Sequence, residues 1–206
     1  MNRSLTSLTL SLTVFSFISA GAAAAQAWKP YAFQGSEHFK YAISSTAEGK
    51  ESSGFFTLDI TKEGEDKFKV AFSSKIGENE SSSSTTATAD ELAGKLMMAM
   101  IMSGSEAGAI VGATLLAPAL PMMFMGMADL EVGSGWSRTE EGKKVSFKVE
   151  AKETVAGHEG YRCVFREDDK VKFLQVIAPD IPLPLRTEMA DEGEDRFLAS
   201  LIEFNR

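Results

Sequence analysis

The sequence has a single cysteine, Cys163, only two histidines, His38 and His158, and fewer Lys and Arg than Asp and Glu, 21 against 29. One cysteine allows no internal disulfide, so stability in an oxidising compartment has to come from the core. A net charge of −8, with no basic stripe along the chain, argues against nucleic acid and anionic lipid headgroups as partners. No Gly-x-Ser-x-Gly elbow, His-Glu-x-x-His, phosphate-binding glycine loop or Cys-x-x-Cys is present. The expectation is therefore a protein without catalytic residues or cofactor. His158 lies on the glycine-flanked turn "VAGHEGYR", where an exposed histidine is ordinary, and the acid pairs Asp168-Asp169 and Asp191-Glu192 fall in charged turns.

What is present begins with a leader. Residues 1–27 run from Arg3 through "LTLSLTVFSFISA" to Ala25-Gln26-Ala27, the small-x-small pattern read by signal peptidase. Cleavage before Trp28 and a periplasmic destination are expected. No cysteine lies near the cleavage point, which excludes lipid attachment there. Residues 28–206 are enough for one domain with its own core.

Two β-patterned blocks follow, 28–89 and 130–206. In the first, Phe39, Tyr41 and Ile43 alternate with polar residues. Phe56, Leu58 and Ile60 do the same, as do Phe68, Val70 and Phe72. This period of two marks half-buried antiparallel strands. "TAEGKESS" and "TKEGED" carry Gly49 and Gly64 and read as hairpin connections, while the Ser/Thr run at 77–89 fits either an edge strand or a loop. The second block reads as a meander of five or six strands. Val145, Phe147 and Val149 share one face; Tyr161, Cys163 and Phe165 another; Val171, Phe173 and Gln175 a third. The closing "RFLASLIEF" is apolar enough on both faces to be covered from both sides. The three prolines of "APDIPLPL" belong at a strand boundary or sheet edge. Cys163, among apolar neighbours, is expected to be buried and inert.

Residues 90–129 have a different grammar. Thr88 or Asp90 can cap a helix, with Glu91 in its first turn, and Leu92, Leu96, Met100 and Ile101 recur at helical spacing. "SGSEAG" and the prolines Pro118 and Pro121 then divide the apolar run into two or three short helices. An antiparallel sheet with a helical insert and no βαβ alternation is α+β. Eight of the ten methionines lie in this insert, in "MMAMIM" (97–102) and "MMFMGM" (122–127). Thioethers suit Cu(I), but the neighbours Ala99, Ile101, Phe124 and Gly126 bring no polar ligand. The uncharged stretch 107–128 is long enough to cross a bilayer, yet it holds two prolines, has acidic flanks, and would strand the two β-blocks on opposite sides. A plug over the aromatic face of the sheet remains. Packed tightly it is core; packed loosely it is one wall of an apolar pocket.

The second block, "GSGWSRTEEGKKVSFKVEAKETVAGHEGYRCVF" and then "KFLQVIAPDIPLPLRTEM" with its Pro182-Leu183-Pro184-Leu185-Arg186 ending, resembles the exported half-barrel proteins related to the LolA/LolB lipoprotein carriers. The resemblance covers about residues 130–205. It implies a curved antiparallel sheet, a half-barrel, with helices in its mouth and an interior able to hold an acyl chain. The insert is longer than in those carriers, and no carrier-specific residue transfers by position.

The function expected is binding or carriage of an apolar ligand, a lipid or a lipidated chain, with transient membrane contact at most. The pocket is expected from Met97, Met98, Ile101, Leu115, Met122, Met123 and Phe124 of the insert and Phe56, Phe72, Phe147 and Phe173 of the sheet. The competing expectation is a structural or interaction module whose insert fills the half-barrel permanently.

Overall fold

A computed structural model describes residues 28–47, 49–101, 130–190 and 196–206. The leader and the stretch 107–128 lie outside them. Ten strands and one helix are formed: β1 (Ser36–Ala47), β2 (Lys50–Lys62), β3 (Lys67–Ile76), β4 (Asn79–Thr88), α1 (Leu92–Ile101), β5 (Gly135–Glu140), β6 (Lys143–Val155), β7 (His158–Glu167), β8 (Lys170–Ile177), β9 (Arg186–Ala190) and β10 (Arg196–Asn205). The described part is thus nearly all β. Of the expected α+β architecture the sheet is present; beyond α1 the helical insert lies outside the described residues. Among the described residues no helix is long and apolar enough to cross a membrane.

All strands belong to one antiparallel sheet, in the order β4-β3-β2-β1-β10-β9-β8-β7-β6-β5. Each block is a simple meander, and the pairing of β1 with β10 joins the two. The first block therefore starts at the centre of the sheet and ends at one edge, and the second starts at the opposite edge and returns to the centre. Whatever connects β4 to β5 has to pass from edge to edge, nine strand spacings or ~43 Å at ~4.8 Å each along the sheet.

The Ser/Thr run becomes β4. Intrinsic preference does not select a strand there; pairing along the whole of β3 does, helped by a Ser74–Ser81 hydroxyl contact of 2.8 Å. Three hairpins of the second block turn through two residues that both have positive φ: Glu141-Gly142, Ala156-Gly157 and Asp168-Asp169. That geometry matches the twist of the flanking strands. In the last of them the Lys144 amide donates to Asp168 Oδ1 at 2.8 Å, which holds the turn against β6.

Cross-strand register assigns the two faces of the sheet. Phe72, Leu58, Phe39, Tyr41, Leu201, Thr187, Gln175, Cys163, Val149, Phe147 and Trp136 form one continuous face, called inner here. Over β1–β3 this face is closed. Phe39, Tyr41, Phe56 and Leu58 are wholly buried and pack in one cluster with Leu92 and Leu96 of α1. The Glu91 amide donates to the Thr88 carbonyl, and the Thr88 amide donates back to the Glu91 carboxylate at 3.2 Å, so Thr88 and Glu91 start the helix as the sequence suggests. A second cluster, Leu130, Phe147, Val149, Cys163 and Ile177, with Trp28 and Trp136 against it, occupies the same face beyond β8. Leu96 belongs to the first of these clusters and Leu130 to the second, so both lie against the inner face.

The proline-rich connection Ala178–Leu185 lies at a strand boundary, as expected, but it is interior. Ile181, Leu183 and Leu185 are buried, Tyr41 Oη donates to the Pro184 carbonyl at 2.9 Å, and Trp28 Nε1 donates to the Ile181 carbonyl at 2.8 Å. Gly160 is part of this seal, since a Cβ there would stand 2.9 Å from Val176 Cγ1 and 3.0 Å from Leu185 Cδ1. Glu37, only 2% exposed, anchors the start of β1 by accepting the amides of Gln34, Gly35 (2.6 Å) and Ser36 (3.0 Å).

Two sequence expectations change. β10 is not covered on both sides: Phe197, Ala199 and Leu201 are buried, whereas Ile202 is 46% exposed. Val171 does not share a face with Phe173, because a bulge between Phe165 and Arg166 pairs Phe165 with Phe173 but Arg166 with Val171.

Candidate functional site

The four sheet residues expected to line a pocket, Phe56, Phe72, Phe147 and Phe173, all stand on the inner face by register. Their surroundings differ. Phe56 and Phe72 pack 6.4 Å apart in the closed cluster under α1. Phe147 stacks on Trp136 at 6.3 Å in the second cluster. Phe173 is half-buried and stacks on Phe165 at 4.9 Å, with Trp136 edge-on to Phe165 at 6.3 Å and Met189 beside Phe173 across β9, 39% exposed. The inner face of β5–β9 therefore carries a run of partly open aromatic and thioether surface that β1–β3 lacks. Of the insert candidates, Met97 and Ile101 lie in α1 and Met98 is 56% exposed, while Leu115, Met122, Met123 and Phe124 lie outside the described residues.

Cys163, wholly buried in the second cluster, has its thiol pushed up to about 12 by burial, which suits an inert side chain. Burial likewise pushes the Tyr41 phenol well above its ordinary range. Among the described residues no three His, Cys, Asp or Glu side chains gather as a metal site requires. His158 sits at the start of β7 with its ring 5.6 Å from that of Phe204, and His38 Nδ1 lies 2.6 Å from Asp59 on the surface.

Two depressions lie on the opposite, outer face, and none of the candidates among the described residues lines them. The first, of about 480 Å³, has Val164, Leu174 and Leu198 beneath Arg162, Arg166, Lys172, Arg186 and Arg196, with Glu188 the single acid on its wall among the described residues, and it reaches Met189 and Phe197 at its end. The second, of about 470 Å³, is bounded by Ala42, Ser44, Gly54, Phe55, Lys75 and Ser200, and shares Ser44 and Leu198 with the first. Acids from β6 and β9 position the arginines. Arg166 donates to Glu150 at 2.7 Å and Arg186 to Glu153 at 2.8 Å, Arg186 also grips Glu188, and Arg162 stands 4.0 Å from Glu153. Glu150 is the residue left over where β6 shifts register between Val149 and Ala151. The Arg186 Nε is buried without a hydrogen-bond partner. Sequence reading missed this cluster. "YRCVFR" does put Arg162 and Arg166 on one side of a strand, but only the pairing of β8, β9 and β10 brings Arg186 and Arg196 to them.

No protein-family model matches the chain, and no curated protein matches it. Solved structures resemble it at low identity. The Pseudomonas aeruginosa MucA/MucB complex aligns over 82% of this chain and 51% of that one, at 14% identity and a TM-score of 0.42. A protein assigned as exported, with a YmcC-like fold, from Bacteroides fragilis aligns over 88% of this chain and 100% of that one, at 12% identity and a TM-score of 0.35. A protein from Parabacteroides distasonis assigned as a lipoprotein aligns over 88% and 99%, at 9% identity and a TM-score of 0.32. The chain spans about half the length of the MucB chains, 50% and 51% in two structures of the complex. The likeness is distant and at the level of fold.

Proposed function

We propose that this chain is an exported, non-catalytic binding or carrier protein for an apolar ligand, a lipid or a lipidated chain, received on the inner face over β5–β9. The observation that carries this reading is the contrast along one face: closed where Phe56 and Leu58 lie, partly open where Phe165, Phe173 and Met189 lie. Open aromatic surface next to core, on the face where Leu96 and Leu130 pack, the residues between which hold eight methionines in sequence, has the composition of an adaptable apolar site.

Native mass spectrometry of the gently purified chain tests the reading, together with titration of a neutral fluorescent monoacylglycerol. Co-purified lipid, and saturable probe uptake reduced at least about tenfold by Phe173→Asp, are expected. A chain that retains no lipid and takes up no probe is not a carrier.

A further inference from the structure

The arginine-walled depression on the outer face meets the site proposed above only at Met189. Its composition is unusual for this protein. In a chain of net charge −8, five cations and one acid among the described residues face a single depression of about 480 Å³. Counting the described acids just outside it, Glu150 and Glu153, cations still exceed acids among the described residues there, the reverse of the whole molecule. Its base is hydrocarbon: Val164 and Leu174 are 1% and 5% exposed under the guanidinium groups. The neighbouring depression continues the trough with a different chemistry. Its bed is of small residues, Ala42, Ser44, Gly54 and Ser200, and its far wall is Phe55, an aromatic side chain left 50% exposed. From Arg186 on β9 to Phe55 on β2 the trough crosses three strand spacings, ~14 Å. One acyl chain occupies about the same length, half of a ~30 Å hydrocarbon core.

We infer that the outer trough binds a single-chain anionic amphiphile. The carboxylate or phosphate head lies between Arg162, Arg166, Arg186 and Arg196, and the chain runs over Leu198 toward Phe55. Glu150, Glu153 and Glu188 fix three of the guanidinium groups in place, so little side-chain freedom is lost when the head binds. The cluster and the trough are both surface features, and charge and hydrocarbon recognition can be separated.

The test is calorimetric titration of the full chain, below micellar concentrations, with dodecyl phosphate, dodecanoate, dodecanol and inorganic phosphate. One dodecyl phosphate or dodecanoate per chain is expected, weakening as salt rises. The double variant Arg162→Glu/Arg196→Glu should weaken both at least about tenfold, Arg162→Lys/Arg196→Lys should retain most of the affinity, and Phe55→Ser should weaken both about threefold. All these side chains are exposed enough to be changed without opening the core. Equal affinity for dodecanol would overturn the anionic head, and equal affinity for inorganic phosphate would overturn the chain. Unchanged binding in the charge-reversed variant would overturn the location. If that variant fails to fold, the wild-type salt dependence and the dodecanol comparison decide alone. Phe173→Asp should leave this binding untouched, so the failure of one site is distinguishable from the failure of the other.

Discussion

The two halves of the sheet share a face but not a design. β1–β3 alternate without interruption: the inner side is aromatic and shut under α1, and the outer side is mostly Ser, Thr and Lys in contact with water, with Phe55 exposed among them. β6–β8 contain two register shifts, a separate small core, half-open aromatics inside and an ion-paired arginine cluster outside. A regular pleat commits every side chain to one of two environments. A bulge adds a residue that belongs to neither, and Glu150 uses that freedom to reach Arg166. The inner face of the regular half thus reads as scaffold, and the irregular half, with the outer trough that runs from it to Phe55, is where surface is left available for binding.

Truncation should separate the halves most strongly. Phe56→Ala removes a wholly buried ring from the closed cluster and should destabilise the protein by about 3–5 kcal/mol in urea unfolding. Phe173→Ala, at a partly open position, should cost roughly half of that or less. Equal losses would mean that both halves are packed alike. The next effect is chemical. Because burial pushes the Cys163 thiol up to about 12, the folded state favours the protonated thiol. Its contribution to stability is complete below the ordinary thiol value of 9.0 and is lost as pH rises toward 12. Alkylation at pH 8 should be at least about a hundredfold slower than in the denatured chain; rapid labelling would show that the second cluster opens. The smallest effect belongs to the helix start. The Lys95 side chain and the Thr88 amide hold the Glu91 carboxyl below its usual value, so its contribution is present above that usual range and is lost as pH falls through the lowered one. Glu91→Gln should lower the Tm by about 2 °C at most at neutral pH, and the difference from wild type should vanish in acid.

The strands of the scaffold were legible because their signal is local. Phe39-x-Tyr41-x-Ile43 and Phe56-x-Leu58-x-Ile60 need no partner to be recognised, and the charged turn at Asp168-Asp169 announces itself. The inner-face position of Phe56, Phe72, Phe147 and Phe173 was legible for the same reason. What the sequence concealed depends on pairing between distant segments. Val171 changes face through a bulge that alternation does not reveal, and Ile202 is exposed although its strand looks apolar on both sides. The arginine cluster was invisible because β7, β9 and β10 each contribute only one or two cations. No stretch of sequence is basic, yet a patch of surface is.

The seam between β1 and β10 also imposes an order in time. The first four strands are synthesised as a complete meander in which β1, central in the finished sheet, is still an open edge. The strand that covers that edge, β10, is made after the nine others, with His38 waiting for Asn205. Most of the chain is looped out before this contact forms, so its closure is slow compared with any hairpin. Until β10 arrives, the molecule exists as two unjoined meanders and β1 is exposed to pairing with other chains. β10 acts as the zip of the fold.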